Sequence, residues 1–273
     1  MDLNKEPILW DKWKCRCSAI GILMTEPKLV EDKKAGNLSA TAKTYLKKCY
    51  VEAKYHRYED FTSKYTDKGT LSQPDCLELL SFLDDKAYKE NTDQLENDFL
   101  TGKPDFYEGP TVRTAKYLIE NKSAWSLHTF MGYMGEKLDK SWEGQLQGYY
   151  DLTGCDAGEV SICLVNTPES IILEEKRRLL WKMGDTAATD LNPEYLEACR
   201  VLEFQMKFDD IPHIERRIKF EIKRDRDFIE RVYGMVEKAR KYLQEIESMH
   251  LNGRKPPAPA IDPSSIPLLK IKK

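Results

Sequence analysis

A chain of 273 residues with 41% apolar content is long enough to bury one substantial core; it reads as one elaborated domain over 1–250 with a proline-rich, flexible tail over 251–273. Lys and Arg number 43 against 46 for Asp and Glu, which argues against a protein that coats nucleic acid over its whole surface but leaves room for basic clusters along a channel. No apolar run approaches the ~20 residues that cross a bilayer, and residues 1–6 lack a basic region leading into an apolar stretch, so neither a membrane span nor a signal peptide is expected, and the expected compartment is the cytoplasm.

In chain order, residues 8–24 read as an opening helix or helix-turn, and 25–37, with Pro27 and Gly36, as a loop. Residues 39–65 read as a helix that neither Pro nor Gly interrupts, with Tyr50, Tyr55, Tyr58 and Phe61 as packing residues. Residues 84–99 are polar and helix-compatible. Gly102-Lys103-Pro104-Asp105 is a turn sequence that delivers an acid into a strand beginning Phe106-Tyr107. Residues 112–119 supply a strand that carries Glu120, and 123–130 a loop with Trp125 and His128, read as a surface histidine. Side chains alternate along a strand, so Glu120 and Lys122 point the same way, a carboxylate beside an amine. Residues 141–152 read as a helix, with Gln145 and Tyr149 four apart on one face.

Residues 159–165 alternate and are β-rich. A helix is expected over 168–181 and another from Asn192, with Asn192 as N-cap and Pro193 in the first turn. Residues 216–225 read as a charged extended segment. Residues 227–249 form an amphipathic helix whose stripe is Phe228, Val232, Val236, Ala239, Leu243 and Ile246. Basic clusters fall at 176–178, 216–219 and 223–226. The seven cysteines are an odd number without a framework pattern and read as reduced thiols; Cys15-Arg16-Cys17 is too closely spaced for zinc.

An acid entering one strand, Glu120-Asn121-Lys122 on the next, then Gln145 and Tyr149 on a helix resembles the PD-(D/E)XK nuclease superfamily in order and spacing. Within it, the pattern is most similar to the RecB-like branch, with the phage lambda-type and YqaJ-like recombination exonucleases. The resemblance covers roughly 11–246 and is strongest over 102–153. It implies an α/β fold, a central mixed β-sheet flanked by helices in a restriction-endonuclease-like nuclease core with a helical N-terminal elaboration. It implies a metal-dependent DNA exonuclease that processes double-stranded DNA ends in phage-type recombination. It further implies a single-strand-annealing protein as partner and a homo-oligomer, since rings are common among such relatives. Some RecB-like relatives carry an iron–sulfur cluster, but Cys155, Cys163 and Cys199 are too dispersed for that pattern.

The implied chemistry suits these residue types. A hard divalent cation, Mg²⁺ or Mn²⁺, prefers oxygen ligands. Asp105 and Glu120 would hold it with the backbone carbonyl of Asn121, while Lys122 would orient the attacking water or stabilise the transition-state charge. By the same resemblance, Gln145 and Tyr149 support the site and touch the DNA backbone, and Arg16 and Ser18 are the nearest matches to residues that bind the end phosphate. One position departs from the pattern. Relatives carry a Glu or His four residues after a Gly, and here Gln73 follows Gly69, with Asp75 and Glu78 as the neighbouring acids able to substitute. That amide keeps an alternative in play: a catalytically weakened or inactive DNA-binding protein on the nuclease fold.

Overall fold

The computed structural model describes residues 8–59, 63–184 and 192–252. Phe61 and the proline-rich tail beyond Asn252 lie outside the described residues. In chain order the elements are β1 (Cys15–Arg16), α1 (Ile20–Leu23), α2 (Val30–Lys34), α3 (Ala40–Tyr55), α4 (Lys64–Leu71), α5 (Gln73–Asp84), β2 (Lys89–Glu90), β3 (Leu95–Glu96), β4 (Leu100–Gly102), β5 (Phe106–Glu108), β6 (Tyr117–Ser123), α6 (Leu127–Met131), α7 (Lys140–Thr153), β7 (Ala157–Cys163), α8 (Glu169–Lys182), α9 (Pro193–Met206), β8 (Arg217–Lys223) and α10 (Arg226–Asn252). Among the described residues, no helix is long and apolar enough to cross a membrane.

The main sheet has five strands in the order β2-β5-β6-β7-β8. Only β6 and β7 pair in parallel, and the other three pairings are antiparallel, so the sheet is mixed. Parallel neighbours need a crossover connection, and α6 and α7 lie in the segment that makes it. A smaller sheet has the order β1-β4-β3, and its Cys15 and Leu100 share a core with Leu118 and Val160 of the first.

The two faces of β6 lead to different helices. Leu118 packs with Val160, Leu146 and Tyr150 in the core under α7. Ile119 packs with Phe106, Cys163 and Leu80 in a second core under α5. Glu120 and Lys122 share the face of Leu118 and are thereby aimed at α7. On the α5 face, Glu159 is fully buried and both of its oxygens are satisfied. Ser161 and Arg217 bond one oxygen; the Tyr117 hydroxyl at 2.7 Å and the Lys219 amine at 3.0 Å take the other. Arg217 also reaches Asp84 at 2.7 Å, which ties the end of α5 to the sheet.

The stripe on α10 meets its expectation. Val232, Val236, Ala239 and Leu243 are fully buried, in one cluster with Leu46 and Tyr50 of α3 and with Trp10. Each larger side chain so buried contributes about 1.5–3 kcal/mol. The Asn192 cap and the extended segment at 217–223 also occur as read.

Six expectations are corrected. Residues 8–24 are not one helix but two 3-10 turns around β1, followed by α1. Cys15 and Arg16 pair with Leu100 and Thr101, and this tertiary pairing outweighs local propensity. The helix from Ser39 stops at Tyr55, where His56 takes a left-handed conformation with φ 52°, and α4 begins separately under the Ser63 cap. Residues 84–99 hold short strands, because Asn91 and Asn97 bond nearby main chain: Asn91 donates to the Pro104 carbonyl at 3.0 Å and Asn97 accepts from Leu100 N–H at 2.7 Å. The strand bearing Glu120 begins at Tyr117, after a 3-10 turn at Val112–Thr114. The stretches read as loops over 25–37 and 123–130 also contain short helices, α2 and the start of α6.

Helix α7 starts under Asp139, whose Oδ1 accepts from the Ser141 N–H and hydroxyl, both at 2.7 Å. The backbone bond first, then the hydroxyl, hold the Asp139 carboxyl below its ordinary 3.8. A depressed folded pKa contributes stability above the unfolded value and loses it as pH falls through the folded one. Asp139→Ala is therefore expected to cost about 1 kcal/mol at neutral pH, with the gap from wild type narrowing in acid. Urea unfolding in both conditions measures this, and a gap that widens in acid contradicts a charged cap.

Candidate active site

Strands β5 and β6 bring the two acids together by register. Phe106 pairs with Ile119, so one step back along β5 sets Asp105 against Glu120. Asp105 Oδ2 accepts the Asn121 N–H at 2.9 Å. Glu120 is only 1% exposed, and its Oε1 accepts from Lys122 Nζ at 2.5 Å. The Lys122 amine also lies 5.5 Å from the centre of the Trp142 ring on α7.

Glu120 Oε2 and Asn121 Oδ1 are buried without a hydrogen-bond partner. Burial first, and then the charge of Asp105, push the Glu120 carboxyl up to about 8, against the pull of Lys122. Asp105 is also raised by burial, opposed by the Asn121 N–H and then by Lys122. A buried acid with one open oxygen, beside a half-buried acid, favours a shared proton at neutral pH, or a cation in its place.

The donor set fits a hard divalent ion, since carboxylate and carbonyl oxygens are the ligands such ions prefer. Among the described residues no group of three or more His, Cys, Asp or Glu side chains could hold a metal. Gln73, the first residue of α5, lines the same cleft as Asp105, Glu120 and Lys122, a cavity of about 520 Å³. Asp75 and Glu78 line a different cavity, with Phe82, His213 and Arg216. Gln73 thus lies on the cavity of the two acids, and Asp75 and Glu78 on the other.

Helix α7 supplies Gln145 and Tyr149 to the same face. Gln145 Nε2 donates to the Tyr149 hydroxyl at 2.9 Å, and Gln145 lines the cleft. Burial, followed by the charges of Glu120 and Asp105, raises the Tyr149 phenol, which stays protonated and able to donate. Close packing sets the position of this ring. A Cβ on Gly102 would lie 2.7 Å from Tyr149 Cε1 and 2.8 Å from Cys17 Sγ, and one on Gly148 would lie 2.6 Å from Ile20 Cδ1.

Arg16 and Ser18 are placed elsewhere. Both are exposed and neither is among the described residues that line the cleft. Arg16 lies beside Tyr45, Cys49 and Glu52 on α3. Cys17, between them, is the side chain that turns inward, toward Tyr149 and Glu120. His128 is exposed on α6.

The sequence reading missed one wall of the cleft, formed by Tyr65 and Lys68 of α4 with Trp125 and Trp142. Lys68 is 1% exposed, and burial pushes its amine down to about 8. A lysine in a short polar helix looks like a solvated residue, so no local pattern marked it. Trp125 follows Lys122 by three residues, a proximity that carries no helical or strand signal of function.

The fold is shared with nucleases of known structure. A crystal structure of a phage-related exonuclease from Haemophilus somnus 129PT matches 88% of this chain and 97% of its own, with a TM-score of 0.66 and 25% identity. The alkaline exonuclease LHK-Exo from Laribacter hongkongensis matches 89% of this chain and 96% of its own, with a TM-score of 0.58. LHK-Exo in complex with dAMP gives a TM-score of 0.57 over 88% of this chain and 93% of its own. Both LHK-Exo matches are 14% identical and speak to the fold alone. No protein-family model matches the sequence, and no curated protein matches it.

The packing around Tyr149 predicts opposite outcomes at two glycines. Gly102→Ala is expected to lose about 1–3 kcal/mol by overpacking against Tyr149 and Cys17. Gly69→Ala, inside α4 with nothing within 4 Å of its added Cβ, is expected to gain roughly 0.5–1 kcal/mol. Denaturant midpoints of the two variants measure both effects, and equal midpoints contradict the close approach at Gly102.

Proposed function

We propose that this chain is a metal-dependent DNA exonuclease that acts on the ends of double-stranded DNA. The observation that carries the reading is half-buried Asp105 beside buried Glu120, with Glu120 Oε2 left open and Lys122 on the same face, in a fold whose 25%-identical match is a phage-related exonuclease. Mg²⁺ or Mn²⁺ would be held by Asp105, Glu120, the Asn121 carbonyl and the Gln73 amide oxygen, and would supply Lewis-acid charge to the phosphate and acidify water. Glu120 holds the Lys122 amine in place, so its charge is ready for the negative charge that builds on the phosphate. Gln145 fixes the Tyr149 hydroxyl as an acceptor, leaving the phenolic proton for a carboxylate or a phosphate oxygen.

End-labelled linear and closed circular DNA, incubated with and without Mg²⁺, test the reading. Linear DNA is expected to be degraded only with the metal, and closed circles are expected to survive. Asp105→Ala and Glu120→Ala are each expected to lose about a hundredfold or more in rate while remaining folded. Degradation in excess chelator, or full activity in both variants, refutes the metal site.

Gln73 favours one second reading, a weakened or inactive nuclease-fold DNA-binding protein, because the amide leaves the site one negative charge short. Gln73→Glu is expected to bind Mg²⁺ more tightly and to cleave faster at limiting metal. Asp75→Ala and Glu78→Ala, which alter a different cavity, are expected to leave metal affinity as it was. Titration calorimetry on the three variants decides the point. DNA binding without degradation in wild type and in Gln73→Glu establishes the second reading instead.

A further inference from the structure

The lining of the cleft includes two lysines among the described residues, Lys68 and Lys122. Their environments differ. Lys122 is paired with Glu120 at 2.5 Å. Lys68 has no carboxylate partner among the described residues. Its amine donates to the Trp125 carbonyl at 3.2 Å and lies 5.3 Å from the centre of the Phe208 ring and 5.9 Å from that of Trp125. An ammonium carries three N–H donors, so this carbonyl and two aromatic faces leave donor capacity unused.

A buried, unneutralised ammonium is costly, and replacement by an apolar side chain of similar size is commonly stabilising. The surrounding structure nevertheless holds Lys68 firmly. Its carbonyl accepts from the Ser72 hydroxyl at 2.6 Å, and Ser72 Oγ in turn accepts from the Ser123 hydroxyl at 3.0 Å. Ser123 directly follows Lys122, so the end of α4 is tied to the strand that carries the acids. A cation fixed beside a cleft at a cost in stability has its counter-charge in what the cleft binds.

We propose that Lys68 is a substrate-binding residue whose ammonium receives a phosphate of the nucleic-acid strand in the cleft, one other than the phosphate at Glu120 and Lys122. The assignment rests on the exonuclease reading and adds to it. One wall of the cleft holds the strand by charge at Lys68 and by the rings of Trp125 and Tyr65, whose centres are 5.0 Å apart. Aromatic faces beside a backbone cation are the pairing that unstacked nucleotides favour.

Lys68→Met and Lys68→Gln remove the charge while nearly conserving length. Binding of a short, fluorescein-labelled, 5′-phosphorylated DNA duplex is followed by anisotropy in chelator over a range of salt, with thermal melting alongside. Both variants are expected to bind roughly tenfold more weakly at low salt, with a log–log salt slope shallower by about 0.7–0.9, the loss of one phosphate contact. Lys68→Met is also expected to melt at a higher temperature than wild type. Unchanged affinity and slope in a folded variant overturns the proposal, as does a lower melting temperature with unchanged slope, which marks a purely structural lysine. Failure of both variants to fold overturns it too. Degradation of linear DNA by wild type is the separate control. If wild type degrades DNA and the variants bind like it, only the role of Lys68 falls; if wild type neither binds nor degrades DNA, the exonuclease reading falls with it.

Discussion

The burial of Glu120 against Asp105 is the constraint on which the site depends. A carboxylate placed beside another acid and away from water is unfavourable in charged form, and here only one of its oxygens is answered, by Lys122. Strands β5 and β7 hold it on both sides, and α7 closes the face above it. The sheet therefore acts as a rigid clamp on an unfavourable charge arrangement. Such arrangements persist where the surrounding fold over-determines them.

A comparison within the same sheet sharpens this. Glu159 is as deeply buried as Glu120, yet each of its oxygens has partners, from Tyr117, Ser161, Arg217 and Lys219. That carboxylate is finished, and it joins α5 to the sheet through Arg217 and Asp84. Glu120, one strand away on the other face, is left open on its cleft side. Burial alone does not set these two acids apart; the state of the second oxygen does.

Most of the acid-bearing core was legible because its signals are local. Alternation along a strand places Glu120 and Lys122 together, and helical spacing does the same for Gln145 and Tyr149. Asp105 was legible from the turn that precedes it. The residues that escaped reading depend on contacts distant in sequence. Arg16 faces α3 because Cys15 and Cys17 take the inward positions around a two-residue strand. The strands at 89–102 were hidden because asparagine side chains, not a hydrophobic alternation, set their turns. Lys68 is buried by Trp125 and Phe208, residues 57 and 140 positions away, which no window along the chain connects.

The placement of β6 between an antiparallel and a parallel neighbour also governs which lengths of chain can change. The segment between β5 and β6 is a surface connection, where an inserted residue is absorbed by the turn. Inside β6, an insertion between Ile119 and Glu120 would turn the carboxylate to the other face, toward Cys76 and Leu80. Chain length is thus free to vary in the loop and quantised in the strand: a shift by two residues preserves the face, and a shift by one turns Glu120 away from the cleft.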